Sequence, residues 1–152
     1  MKRFMKIGVL CLILLLSFTS SAIAATDPYE PNDVPWQATP LENPTFPMGQ
    51  GVFAYASKND IDFYKFYTPN GGLQVIYFIP PDDQMYLVAI YEESDFDDGH
   101  ASSVAYAWVD TGQFTQITFW PTPGTYYIAQ VMGWAGAYND TNTYYFGISQ
   151  YR

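Results

Sequence analysis

From about residue 50 onward, short runs rich in Val, Ile, Tyr, Phe and Trp recur, each cut off by a cluster of Gly, Pro, Asn or Asp. This punctuation constrains the fold more than any other feature. No run is long enough for an amphipathic helix, and each suits a strand. The spacing predicts strands at Gly51–Ser57, Phe63–Tyr67, Leu73–Ile79, Tyr86–Tyr91, Ser103–Val109, Phe114–Trp120, Tyr126–Met132 and Tyr144–Gln150. Alternation puts Leu73, Val75, Tyr77 and Ile79 on one face of their strand. It groups Val104, Tyr106 and Trp108 likewise, with Trp108 expected in the core. Asn70-Gly71-Gly72 suits a tight turn with positive φ, and Pro80-Pro81-Asp82-Asp83 cannot continue a ladder. Thr111-Gly112 and Pro121-Thr122-Pro123-Gly124 divide the next pairs. Before the strands, Thr26–Pro47 is proline-rich and reads as extended, with one helical turn near Trp36-Gln37-Ala38. Strands at this spacing predict an all-β sandwich or barrel in a single domain.

The beginning of the chain has a different character. Lys2, Arg3 and Lys6 precede an apolar run from Ile7 to Phe18, and small residues end at Ala22-Ile23-Ala24. That order is a secretory signal, and the run is short of the ~20 residues a spanning helix needs. Leu12 to Leu16 continue the apolar stretch past Cys11, which favours an ordinary signal over a lipoprotein one. Residues 1–24 are therefore expected to be removed, leaving a secreted, extracellular domain over 25–152.

Removal changes the balance of charge. Three basic residues remain (Lys58, Lys65 and Arg152) against all 15 acidic ones, a net charge of −12. Nucleic acid and anionic membrane surfaces need a cationic partner, so neither suits this chain after cleavage; cations do. The one cysteine, Cys11, leaves with the signal. The domain must then hold together by core burial, by bound metal, or by both.

Two acidic clusters have metal-ligand character. Tyr29-Glu30-Pro31-Asn32-Asp33 precedes the first predicted strand, and Asp60-Ile61-Asp62 opens the second. Glu30, Asn32 and Asp33 offer three oxygen donors within four residues, and Asp60 and Asp62 point to one face of a strand. Calcium takes six to eight such ligands, so the two clusters folded together could hold one ion. The same residue types also make plain solvated turns.

Four motifs in order carry a family resemblance: the Tyr29–Asp33 segment, Asp60-Ile61-Asp62-Phe63-Tyr64-Lys65-Phe66, Gly124-Thr125-Tyr126-Tyr127-Ile128, and Tyr144-Tyr145-Phe146-Gly147-Ile148. Together they resemble the bacterial pre-peptidase C-terminal domain, a module similar to the collagen-binding domain of clostridial collagenases. The resemblance implies a jelly-roll-like antiparallel β-sandwich of about eight strands. It also implies a calcium site shared by Glu30, Asn32, Asp33, Asp60 and Asp62, with the extended 25–50 segment supplying part of it. Only Asp27 precedes the first motif, which makes a second metal at that end doubtful.

A third acidic stretch, Glu92–His100, fails as an EF-hand loop. Counted from Asp95, its sixth position is His100 and its twelfth Tyr106, where Gly and Glu are needed. It reads as a solvated loop. His100 is the only histidine, no nucleophile–base motif is present, and only a carboxylate-based hydrolase stays formally open. The chain therefore reads as a non-catalytic binding module for an extracellular protein or polysaccharide, with Trp134 and Tyr138 as candidate ligand contacts. The alternative is a self-associating structural or matrix protein.

Overall fold

The structure, a computed structural model, describes residues 26–43, 49–97 and 102–151; the expected leader and His100 lie outside them. Among the described residues nine strands make up the fold: β1 (Thr39–Leu41), β2 (Gln50–Ala56), β3 (Ile61–Thr68), β4 (Gln74–Ile79), β5 (Tyr86–Glu92), β6 (Ala105–Val109), β7 (Thr115–Phe119), β8 (Thr125–Gly133) and β9 (Asn139–Gln150). One short helix, α1, spans Glu93–Asp97. The sheets run β1-β3-β8-β5-β6 and β2-β9-β4-β7. With β1 set aside, the orders 3-8-5-6 and 2-9-4-7 are those of a jelly roll, two sheets between which the chain repeatedly crosses.

All eight predicted strands are present, several with shifted ends, and the ninth corrects the count. β1 pairs with β3 in parallel, Thr39 opposite Tyr64, so the five-stranded sheet is mixed rather than antiparallel. A three-residue strand carrying Pro40 shows no alternation, and only its neighbour makes it a strand. The helical turn expected near Trp36 is a 3-10 turn over Pro35–Gln37.

Aromatic rings fill the core in place of disulfides. Tyr64, Tyr86, Tyr127, Tyr144, Phe66, Phe78 and Phe146 are fully buried among Ile76, Ile90 and Ile148. Tyr64 stacks on Phe146 across the two sheets, centroids 4.9 Å apart. In β4 the core face is Gln74, Ile76 and Phe78, while Val75, Tyr77 and Ile79 take the other face. Both parities of that strand are apolar, so alternation alone could not choose between them.

β6 corrects the tryptophan expectation. Ala105, Ala107 and Val109 face inward, while Tyr106 and Trp108 point to solvent, Trp108 47% exposed. The Glu92–His100 stretch is corrected as well: Glu93–Asp97 is helical rather than a loop. Its Phe96 lies edge-on to both Phe63 and Tyr91, covering part of the outer face of the five-stranded sheet. The Lys65 ammonium pairs with Glu93, 2.5 Å away, and sits over the Tyr126 ring.

The turn at Asn70–Gly72 has no positive φ, contrary to expectation; among the described glycines Gly112, Gly124 and Gly136 adopt it. Asn70 Oδ1 accepts the Gly72 N–H at 3.1 Å instead. Glycine is required at 72 because a Cβ would fall 1.8 Å from the Tyr151 carbonyl oxygen.

Candidate metal centre

β3 enters the sandwich with Asp62, Tyr64, Phe66 and Thr68 on its inward face, so strand alternation buries the Asp62 carboxylate at the rim of the core. Asp60 reaches the same place through the Ser57–Asp60 turn. Its N–H donates to the Ser57 carbonyl at 3.1 Å, and its Oδ2 accepts the Ser57 N–H at 2.9 Å. Asn59 within that turn has φ 66, a value asparagine tolerates better than most residues.

The N-terminal segment is laid across this point by backbone bonds. The Phe63 N–H donates to the Asn32 carbonyl at 3.0 Å. Glu30 Oε2 accepts the Asn32 N–H at 2.9 Å, across a cis Glu30–Pro31 peptide bond. Asp27 uses both oxygens, accepting from Tyr29 N–H at 2.7 Å and from Tyr55 N–H at 2.9 Å. Asp27 thus ties the segment to β2.

These contacts bring Glu30, Asp60 and Asp62 together, one ligand oxygen from each lying within 4.8 Å of the others. Asp33 stands against Asp60 and contributes to the rise in its pKa. Asn32 is fully buried, and neither atom of its side-chain amide has a hydrogen-bond partner. Asp60 Oδ1 and Asp62 Oδ1 are likewise buried and unpartnered. The other Asp62 oxygen accepts the Tyr144 hydroxyl at 2.7 Å, and that hydroxyl meets Tyr64 OH at 2.5 Å. A polar chain therefore runs from the carboxylate cluster into the middle of the core.

The electrostatics match the geometry. Burial, then the nearby Asp60 charge, pushes the Asp62 carboxyl up to about 8. Burial does the same to Asp60, with Asp33 and Glu30 adding to it, up to about 6. Burial also raises Asp27. Three buried or half-buried carboxyls all resisting ionisation describe a place that lacks positive charge. A hard divalent cation would supply it, and a donor set made wholly of oxygens, several of them unpartnered, fits calcium. A cleft of about 280 Å³, lined by Thr26, Asp27, Glu30, Tyr55, Ser57 and Asp60, leads to the cluster from solvent.

Sequence reasoning missed two participants. Asp27 was noted only for preceding the motif, yet it anchors the whole segment; the signal was an Asp two residues before Tyr29, a spacing that favours a local turn. Tyr144 lies 82 residues from Asp62, and no local pattern could join them.

A second surface is aromatic. Trp134 and Tyr138 are 52% and 43% exposed in the β8–β9 connection. Trp108 meets Trp134 edge-on with centroids 4.4 Å apart, although the sequence placed the two apart. The Trp134 backbone N–H donates to the Met85 carbonyl at 2.8 Å, which ties the main chain there to the start of β5. A Cβ at Gly133 would fall 1.8 Å from the Ala137 carbonyl oxygen, so that tight turn depends on glycine.

No protein-family model matches the sequence, and no curated protein matches it. Solved structures do match in fold. The mitogen from Yersinia pseudotuberculosis has a TM-score of 0.50 at 7% identity, over 70% of this chain and 88% of that one. The pre-peptidase C-terminal domain of a Bacillus anthracis collagenase has a TM-score of 0.51 at 17% identity, over 74% of this chain and 92% of that one. In fold, the chain is similar to the pre-peptidase C-terminal domain, the module that its four motifs resemble in order.

Proposed function

We propose that this chain is an exported, non-catalytic binding module, stabilised by calcium, that attaches to an extracellular protein or polysaccharide through its exposed aromatic side chains. The observation that carries the reading is the Trp108–Trp134 pair. Two large rings meet edge-on, each about half exposed, with Tyr138 nearby in sequence. Aromatic side chains have few rotatable bonds to immobilise and dominate interface energetics. Calcium, held by Glu30, Asp33, Asp60 and Asp62 with Asn32 beside them, would neutralise the carboxylates and fasten the N-terminal segment to the sandwich. The role of the metal here is structural.

Retention tests the reading. The purified chain is passed over insoluble collagen and over insoluble polysaccharides, with Trp134→Ala/Tyr138→Ala as the comparison. Retention of the parent on one of these, and its loss in the variant with an unchanged circular dichroism spectrum, supports the proposal. Retention of both chains alike would remove this surface from the reading.

A further inference from the structure

β2 is an edge strand, paired with β9 on one side only. Its seven residues, Gln50-Gly51-Val52-Phe53-Ala54-Tyr55-Ala56, carry no charge and no proline. Edge strands in natural sheets ordinarily carry one or the other, or are short or covered, because their free N–H and C=O groups would otherwise recruit another strand. The remaining edges differ from β2 in length or surroundings. β1 is three residues long with Pro40 at its centre, and β6 and β7 lie against each other on the far side.

The only guard on β2 among the described residues is Asp27, which accepts the Tyr55 N–H. Alternate residues of a strand direct their backbone groups to the same side. The outward amide of Tyr55 therefore places those of Gly51 and Phe53 outward too, and no described hydrogen bond satisfies them. Phe53 is 63% exposed, and its ring leans on Tyr145, which lies flat across Gly51 and Gly147.

We propose that β2 pairs with β2 of a second copy of this chain, antiparallel, about a two-fold axis at Val52, so that the two four-stranded sheets become one of eight. In that register Gly51 faces Phe53 of the other copy, and each such pair exchanges two N–H···O=C bonds. The Tyr55 amide stays with Asp27. A centre at Phe53 would instead set Gly51 opposite Tyr55 and compete with that carboxylate. The side chains are self-complementary as well. Each Phe53 ring comes beside the Tyr145 ring that covers Gly51 of the other copy, extending the row of aromatic rings on the outer face. Charge selects the antiparallel sense. Asp27 and Asp60 lie near the Ala56 end of β2, and antiparallel pairing keeps the two acidic clusters at opposite ends, whereas parallel pairing would set them side by side. The contact is small, so the dimer is weak and depends on concentration. It is independent of the ligand reading above.

Sedimentation equilibrium of the purified chain from ~10 μM to ~1 mM should show mass rising from one chain toward two. Hydrogen exchange at the Gly51 and Phe53 amides should slow over the same range. Phe53→Lys, which puts a charge at the exposed centre of the edge, should weaken the dimer roughly tenfold or more while leaving the circular dichroism unchanged. A single-chain mass throughout the range overturns the proposal. So does a dimer whose Gly51 and Phe53 amides exchange as fast as in the monomer, a readout that holds even if the lysine variant fails to fold.

Discussion

Replacing Asp62 by Asn should make the calcium-free chain more stable, and the gain should grow with pH. The Asp62 carboxyl is fully buried, and its pKa is raised from the ordinary 3.8 to about 8. That difference makes ionisation in the folded chain costlier than in the unfolded chain by about 6 kcal/mol. Below pH ~4 both states hold the proton and nothing is lost. Between ~4 and ~8 the unfolded chain gives up the proton and the folded chain keeps it, so stability falls as pH rises, by about 1.4 kcal/mol per pH unit. Above ~8 the loss levels off. Asparagine cannot ionise, yet its Oδ1 can still accept the Tyr144 hydroxyl that now bonds Asp62. Urea unfolding in chelator, followed by tryptophan fluorescence and extrapolated to water, gives the comparison. Asp62→Asn should match the parent within ~1 kcal/mol at pH 4.5 and exceed it by several kcal/mol at pH 8. Asp60, pushed up to about 6, should leave a shallower slope in the variant. Equal pH dependence in the two chains, or a variant weaker at pH 8, would refute the electrostatic reasoning.

Calcium at about 1 mM should raise the parent's stability by roughly 1.4 kcal/mol if its dissociation constant is near 10⁻⁴ M, a few degrees in melting temperature. Superimposed melts in chelator and calcium, or a rise that survives Asp33→Ala and Asp62→Ala, would count against the site. Removal of the Trp134 and Tyr138 rings should cost about 2 kcal/mol or more of attachment on whichever support retains the parent, read from binding isotherms. Gly133→Ala should destabilise by more than ~2 kcal/mol, since its Cβ would meet backbone rather than a movable side chain. N-terminal sequencing of material recovered outside an expressing cell should begin at Ala25 or within a residue or two of it; an intact Met1 would overturn the export reading.

The eight longer strands were legible because apolar alternation and Gly/Pro punctuation are local properties of a chain. β1 and α1 were not. Thr39-Pro40-Leu41 is a strand only because Tyr64 and its neighbours lie beside it, and Glu93–Asp97 is a helix whose Phe96 finds Phe63 and Tyr91. Trp108 misled for a related reason. Size and hydrophobicity pointed it inward, but the strand turns Ala105, Ala107 and Val109 to that side. At the site, Glu30, Asp60 and Asp62 were legible from oxygen donors at short spacing, and the structure brings them within 4.8 Å of one another. The Tyr144 and Tyr64 hydroxyls behind them were not, since a strand hides which distant residues it will face.

The place of β9 fixes when the molecule can form. It is the last of the nine described strands in chain order, yet it lies inside its sheet, between β2 and β4. Its partners Val52 and Phe78 precede Phe146 by some 94 and 68 residues. Until β9 is made, β2 has no partner strand and β4 keeps only β7. Loop closure over such separations is slow and cannot be completed piecemeal. The second sheet therefore cannot close until β9 has been made. Clipping away β9 would leave no smaller sandwich to fall back on.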